Sequence, residues 1–481
     1  AAFMSTYWGF VFWEGEVNDP CLFVFLGTLL MYVMSRWAEK MPARWAALAG
    51  VICGSYALMR PNILLFGPFL ALWMLWIAYK RGQVRRIVLS WIALASCTFM
   101  LIIPVTIRNY VVAHEFVPIS TYFGENFLIG NGPEADGVTP WTPYLQDLEG
   151  SGNWSVWVYI NVVKGAGREL GIPNIKHSEA SSYFYRQTVD YIKTHKLRTL
   201  RLMAKKAILF WTPIEITCNK VVQYEKEYYP PLKYLPGFAM VMALFVTGAA
   251  VFLLDLRKRR VMEGAASASL SSVEMSTLVF AFMAVYFVSF LPFFVNGRAR
   301  VPIIPFCILL GSYGIWRIVE YARERQTRRA AAWIGAFVVL YVLSSIQYIR
   351  FEPDRSRWFY QRADSYLRIG ELDKSIAEAR NLLNRPDTAS YMNMRLARAF
   401  AEQGHKDEAF QHFMAAIKNH PTDPDVQFSG AGELIKIGRV EEGIAQYNET
   451  LRINPKDARA HNNLGLLLAD SGKLADAAAH L

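Results

Sequence analysis

Apolar residues in this chain gather into charge-free blocks, and that feature constrains the fold more than any other. Cys21 to Ser35, Trp45 to Met59, Ile63 to Tyr79, Ile87 to Ile107, Leu235 to Leu254, Met275 to Val295, Val301 to Trp316 and Ala330 to Ile349 each run for roughly 15 to 21 residues between arginine-rich punctuation. A soluble chain of 481 residues that is 53% hydrophobic would spread its apolar residues along periodic faces instead. The blocks predict an all-α dominated fold, a polytopic helical membrane bundle, and they exclude disordered and fibrous classes. An isolated span needs about 20 apolar residues, but shorter ones fit a bundle whose flanking arginines, here Arg44 and Arg60, reach the interface. Residues 1–13 read as the tail of a further helix. The chain starts at Ala1 inside an apolar run and stops at Leu481 in mid-helix, so it reads as a fragment truncated at both ends.

Charge sets the expected orientation. One set of connections is basic: Arg36, Lys40 and Arg44; Lys80, Arg81, Arg85 and Arg86; Arg257 to Arg260; and Arg317, Arg323, Arg325, Arg328 and Arg329. These connections alternate correctly with eight spans and are expected to stay cytoplasmic. The intervening connections, near Asp19, at Arg60, from Arg108 to Tyr234 and from Asn296 to Arg300, then face outward, and so does everything after Ile349. The net charge of +11 raises nucleic acid as a partner. Basic residues clustered beside apolar blocks are explained by insertion topology and anionic lipid, and no nucleic-acid partner is expected. The five cysteines, Cys21, Cys53, Cys97, Cys218 and Cys307, lack the spacing of a zinc site or a disulfide framework.

Four domains are expected: transmembrane helices over 1–107, an extracytoplasmic loop subdomain over 108–234, further transmembrane helices over 235–349, and a helical repeat array over 350–481. The turn signals Asn131-Gly132-Pro133 and Asp136-Gly137 argue that the long loop is ordered. Ser181 to Trp211 carries apolar residues at helical spacing among Lys193, Lys196, Arg198, Arg201, Lys205 and Lys206. That pattern predicts an interfacial amphipathic helix pair, the alternative being two solvated helices. Past Ile349, Gly370, Gly404, Gly438 and Gly472 recur every 34 residues. The small residues Ala363, Ala397, Ala431 and Gly465 keep the same register, as do Ala409, Gly443 and Ala477 and the closing prolines Pro421 and Pro455. This is the tetratricopeptide pattern, an α-solenoid of about four units that binds a protein partner.

No soluble-enzyme template fits. HExxH, GxSxG and P-loop patterns are absent, and Gly130-Asn131-Gly132 is followed by its next glycine only at Gly137. The histidines lack ligand spacing, so the metal is unknown; a divalent cation held by carboxylates is the one cofactor considered. What remains is a set of polar groups expected at the outer boundary: Glu14, Glu16 and Asp19, Arg60 in a Met-Arg-Pro-Asn break, Arg108, Arg298 and Arg300. Arginines pair phosphate oxygens bidentately and a carboxylate serves as general base, which suits a lipid-phosphate-linked donor. Against this stand plainer roles: interfacial anchoring for the arginines, a solvated loop for Glu14 and Glu16, and helix capping for Asp19 ahead of Pro20.

The stretches LAGVICGSYALMRPNILLFGPFLALW, PVTIRNYVVAHEFVPISTYFGENFLIGNGPEADG, AILFWTPIE and NGRARVPIIPF resemble the membrane glycosyltransferases of the GT-C superfamily, bacterial relatives of protein mannosyltransferases, over about residues 1–350. With the carboxy-terminal repeats, the architecture is similar to the transmembrane and tetratricopeptide-repeat O-mannosyltransferases. The resemblance implies inverting transfer of a sugar from a polyprenyl-phosphate donor to a protein or glycan acceptor on the extracytoplasmic face of a membrane, a bacterial inner membrane by preference. It also implies a principal catalytic aspartate before Ala1, a tentative catalytic role for Asp19 as the second acidic position, and donor phosphate contacts from Arg298 and Arg300, with Arg60 and Arg108 nearby. Ala299 stands where the family has an aromatic residue. Two other functions fit the same features: a noncatalytic membrane scaffold, and a ligase or polymerase of lipid-linked surface glycans.

Overall fold

The structure is a computed structural model of the 481-residue chain. It describes the chain apart from residues 1, 8, 11–19, 141, 150–155, 217–220, 264–271, 350, 352–354, 384–385, 420 and 481. Glu14, Glu16, Asp19 and Cys218 therefore lie outside the described residues. Two compact units are present, Ala1–Glu352 and Pro353–Leu481, and the described residues form helices and connections without strands.

Among the described residues of the first unit every charge-free block is mostly helical, with residues 235–237, 291–295 and 346–349 outside the helices. Seven helical stretches are long and apolar enough to cross a membrane: Pro20–Lys40, Pro61–Lys80, Val84–Ala113, Pro230–Arg257, Val273–Phe290, Gly297–Arg323 and Thr327–Ser345. Ala43–Met59, with 17 residues, is the shorter member. Prolines shape the entries. Pro61 cannot extend the Ala43–Met59 helix, and the chain passes through the 3-10 turn Pro61–Phe66 before resuming as Gly67–Lys80. A second 3-10 turn, Gly297–Ile303, contains Pro302 and leads into Ile304–Arg323. The Val84–Ala113 helix has 30 residues, a length of roughly 45 Å. Arg108 and Asn109 thus lie within its last two turns, whereas the sequence reading set them beyond the helix.

Glycines bring the helices into contact. A Cβ on Gly50 would stand 2.3 Å from the Leu94 carbonyl oxygen, and one on Gly248 would stand 2.0 Å from that of Leu310. Removing side chains at such crossings lets two backbones approach, the usual device where apolar burial alone does not favour association. Polar pairs mark one end of the bundle: Lys80 to Glu274 at 2.9 Å, Arg317 to Asp255 at 2.7 Å, and Arg81 donating to the Glu39 carbonyl at 3.1 Å. The ends expected to be basic therefore gather together, as an alternating chain direction requires.

Between the Val84–Ala113 and Phe238–Glu263 helices lie shorter ones, among them Phe123–Asn131, Val156–Leu170, His177–Thr194 and Lys196–Trp211. Leu128, Leu145, Val162, Ala166, Ala180 and Phe184 form a small core among the first three of these and the Pro143–Glu149 helix, whereas Lys196–Trp211 packs Leu209 and Phe210 into the main core.

Among the described residues the second unit shows four helix pairs: Arg355–Arg368 with Leu372–Ala379, Pro386–Glu402 with Lys406–Asn419, Pro424–Lys436 with Val440–Ile453, and Ala458–Asp470 with Leu474–His480. Gly370, Gly404, Gly438 and Gly472 turn each pair at φ of 79°, 85°, 92° and 76°, a left-handed conformation that costs glycine nothing. Ala363, Ala397, Ala431 and Ala409 are fully buried where the helices cross. Arg398 to Glu433 at 3.1 Å and Arg459 to Asp425 at 2.6 Å join the first helices of successive pairs. The 34-residue period thus sets the turns and the apolar contacts, while the two ion pairs fall at different positions of the repeat.

Candidate functional site

The end of the first unit opposite the basic loops is organised around the Gly297–Ile303 turn. Asn296 starts it, its side-chain oxygen accepting from the Ala299 amide at 3.0 Å. The turn packs against the Pro20–Lys40 helix and the Ser272–Phe290 helix, and the latter also receives Pro61–Phe66. Arg60 lies here, its guanidinium 5.1 Å from the Phe23 ring and 5.9 Å from that of Phe290, while Asn62 donates to Ser289 at 2.9 Å. The Met-Arg-Pro-Asn break and the Asn296 to Arg300 connection thus meet on the end of one helix.

The two arginines of that connection have different surroundings. Arg300 is 2% exposed. It pairs with Glu215 at 2.6 Å, donates to the carbonyls of Thr212 and Ile214, and lies 3.8 Å over the Phe238 ring. Its guanidinium is spent inside the protein, holding the 212–215 segment against the turn. Arg298 remains partly exposed between the buried residues Gly297 and Ala299. Arg108 is exposed and donates to its neighbour Asn109 at 3.3 Å; Asn109 in turn donates to the Val117 carbonyl at 3.1 Å. Arg60 and the turn that carries Arg298 and Arg300 thus share the Pro20–Lys40 and Ser272–Phe290 helices as neighbours, while Arg108 lies on the emerging helix.

Lys206 was grouped with the interfacial lysines on sequence, yet it is fully buried. Its ammonium donates to Asn131 Oδ1 and to the Leu291 carbonyl, both at 3.0 Å, and burial pushes its pKa down to about 8. Arg198 likewise turns inward, to the carbonyls of Gly132, Pro133 and Ala135, and Lys205 to that of Asp136. Only part of the basic set stays outside: Lys193, Lys196 and Arg201 are exposed, beside the exposed apolar residues Leu197, Leu200 and Ile208 of the same helical face.

Sequence reading also passed over Glu125 and Glu215. Glu215 lies in the AILFWTPIE stretch, where a lone acid in an apolar run signalled a buried partner. Glu125 is 3% exposed with one carboxylate oxygen unpaired, and burial raises its pKa to about 7. A carboxyl whose folded pKa is raised binds protons more tightly when folded, so its stability contribution falls as pH climbs from about 4.5 through about 7. Glu125→Gln is therefore expected to melt like the parent at pH 4.5 and to be more stable by up to about 3 kcal/mol at pH 8, as thermal unfolding in detergent at the two pH values would show.

Among the described residues no group of three or more His, Cys, Asp or Glu side chains could hold a metal ion, so no divalent-cation site can be drawn from them. Cys53, Cys97 and Cys307 are free thiols.

Comparison with known families places the repeats. A family model described as "Tetratricopeptide repeat" matches residues 360–424, and one described as "TPR repeat" matches residues 433–472. Comparison with curated proteins finds no match. Tetratricopeptide arrays mediate protein interaction, and a protein-binding role is what this part of the chain supports.

Proposed function

We propose that the chain is a membrane glycosyltransferase that moves a sugar from a polyprenyl-phosphate-linked donor to a protein or glycan acceptor on the extracytoplasmic face, with the repeats recruiting acceptor or partner. The observation that carries this reading is the partly exposed Arg298, set between buried neighbours on the Gly297–Ile303 turn at the end shared with Arg60. A prenyl chain would lie among the apolar helices while its phosphate meets these guanidinium groups. In the transfer, an acceptor oxygen attacks the anomeric carbon, the carbon–oxygen bond to phosphate breaks, and the prenyl phosphate leaves with the electron pair. Arginine stabilises the charge that grows on the leaving phosphate, and a carboxylate takes the acceptor proton. The resemblance gives a tentative carboxylate role to Asp19, which lies outside the described residues.

Of the four arginines, we assign donor contact to Arg298 and Arg60, internal support of the turn to Arg300, and interfacial anchoring to Arg108. Eight crossings that begin outside return residues 350–481 to the outer compartment, which raises the effective concentration of a bound acceptor there. An integral membrane protein, in a bacterial inner membrane, is the setting of this reading. The second reading, a noncatalytic membrane scaffold, draws on the family matches falling on the repeats alone.

The test is binding of fluorescent polyprenyl phosphate and of the matching neutral polyprenol to the protein in lipid nanodiscs. The parent is expected to prefer the phosphate, and Arg298→Glu to lose that preference by roughly a hundredfold, since a charge-assisted contact becomes a repulsion. No preference in the parent would sink the glycosyltransferase and leave the scaffold.

A further inference from the structure

The segment leading to Arg298 is held by polar groups from two helices far away in sequence. The carbonyl of Leu291 accepts from Lys206 Nζ at 3.0 Å, and that of Pro292 from Asn131 Nδ2 at 2.6 Å. Asn131 is itself fully engaged, accepting from Lys206 at 3.0 Å and donating also to the Phe127 carbonyl at 3.0 Å. Gly130 packs so closely on this segment that a Cβ would come within 2.8 Å of the Phe293 Cα. The amides of Val295 and Gly297 then donate to the carbonyls of Gly137 at 2.9 Å and Ile216 at 3.0 Å.

Stability alone is a poor reason for a fully buried lysine here. Among the described residues the ammonium, with three protons, meets two acceptors, whereas methionine would fill similar space without a desolvation cost. The lysine does supply what an apolar side chain cannot. It caps a carbonyl just past the end of the Ser272–Phe290 helix, where the helix leaves carbonyls unsatisfied and favours a cation. It also fixes Asn131, which orients the next carbonyl. The backbone from 291 to 297 is thereby fixed at successive points before Arg298.

We propose that Lys206, acting with Asn131, is a positioning residue that sets the 291–297 backbone and so the place where Arg298 meets a donor phosphate; this rests on the donor role given to Arg298 above.

Amide hydrogen exchange and nanodisc binding test it together. In Lys206→Met, exchange at Val295 and Gly297 is expected to quicken about tenfold or more, the loss of a charged hydrogen bond. Affinity for polyprenyl phosphate should fall about tenfold while that for neutral polyprenol holds, which a general loss of structure would not produce. Should Lys206→Met fail to fold, Asn131→Ala gives the same pair of readings. Unchanged exchange at both amides, or equal losses for phosphate and polyprenol, overturns the positioning role. A parent protein that holds no polyprenyl phosphate overturns the glycosyltransferase reading, and the donor role of Arg298 with it. Parent-like phosphate binding by the variant overturns the positioning role alone.

Discussion

Gly248→Val is expected to abolish recovery of folded protein from membranes, or to lower its melting temperature severely. A Cβ at 248 would stand 2.0 Å from the Leu310 oxygen and 2.9 Å from the Gly311 Cα, and a Cβ on Gly314 would stand 2.6 Å from the Gly248 Cα. Both partners are backbone, so no side chain can swing aside. The Phe238–Glu263 and Ile304–Arg323 helices would have to separate, losing contacts along their length and disturbing the Arg317 to Asp255 pair that joins them. Overpacking of a tight core costs about 1 to 3 kcal/mol, and a backbone-to-backbone obstruction belongs at or above the top of that range. Gly335, which has open space around its Cβ position, is the control: Gly335→Val should be recovered like the parent. Size-exclusion profiles and thermal melts in detergent would read both.

Arg300→Leu is expected to cost about 3 to 5 kcal/mol, because it leaves the Glu215 carboxylate buried without its cation and strips the carbonyls of Thr212 and Ile214 of their donor. The double variant Arg300→Leu with Glu215→Leu removes the stranded charge and should recover a large share of that loss. The two positions are therefore non-additive, and a double-mutant cycle measured by thermal unfolding gives the coupling. Equal and additive losses would mean that the pair does not hold the turn.

Much of the scaffold was legible because it depends on local properties. A charge-free block must satisfy its backbone within itself, so Cys21 to Ser35 or Ile87 to Ile107 could be assigned as helix without reference to the rest of the chain. A period of 34 marked by glycine reports a repeated turn, and all four glycines adopt the positive φ that makes the residue type necessary. The limits of the helices were less accessible. Val84–Ala113 outruns its apolar block at both ends, because interfacial polar residues such as Arg108 and Asn109 can continue a helix once packing has begun it.

The candidate site was legible only as a set of residue types. Lys205 and Lys206 are adjacent and chemically alike, yet Lys206 is buried on Asn131 and Leu291 while Lys205 reaches the Asp136 carbonyl. Helical rotation of about 100° per residue turns them toward different surroundings, and the sequence does not say what those surroundings are. Glu125 gave no signal either, since a carboxylate beside aromatic residues occurs equally on surfaces.

What the sequence by itself determined was the division into apolar helices and a 34-residue array, together with the basic character of one set of connections. Each follows from a block or a period that a few neighbouring residues define. Tertiary structure decided which arginine is enclosed. In a 3-10 turn, successive side chains are rotated by about 120°, so Arg298 and Arg300, two residues apart, point about 120° away from each other. One meets Glu215 and the carbonyls of a segment more than eighty residues away, and the other stays partly exposed, because only the folded chain brings that acidic partner to one side of the turn.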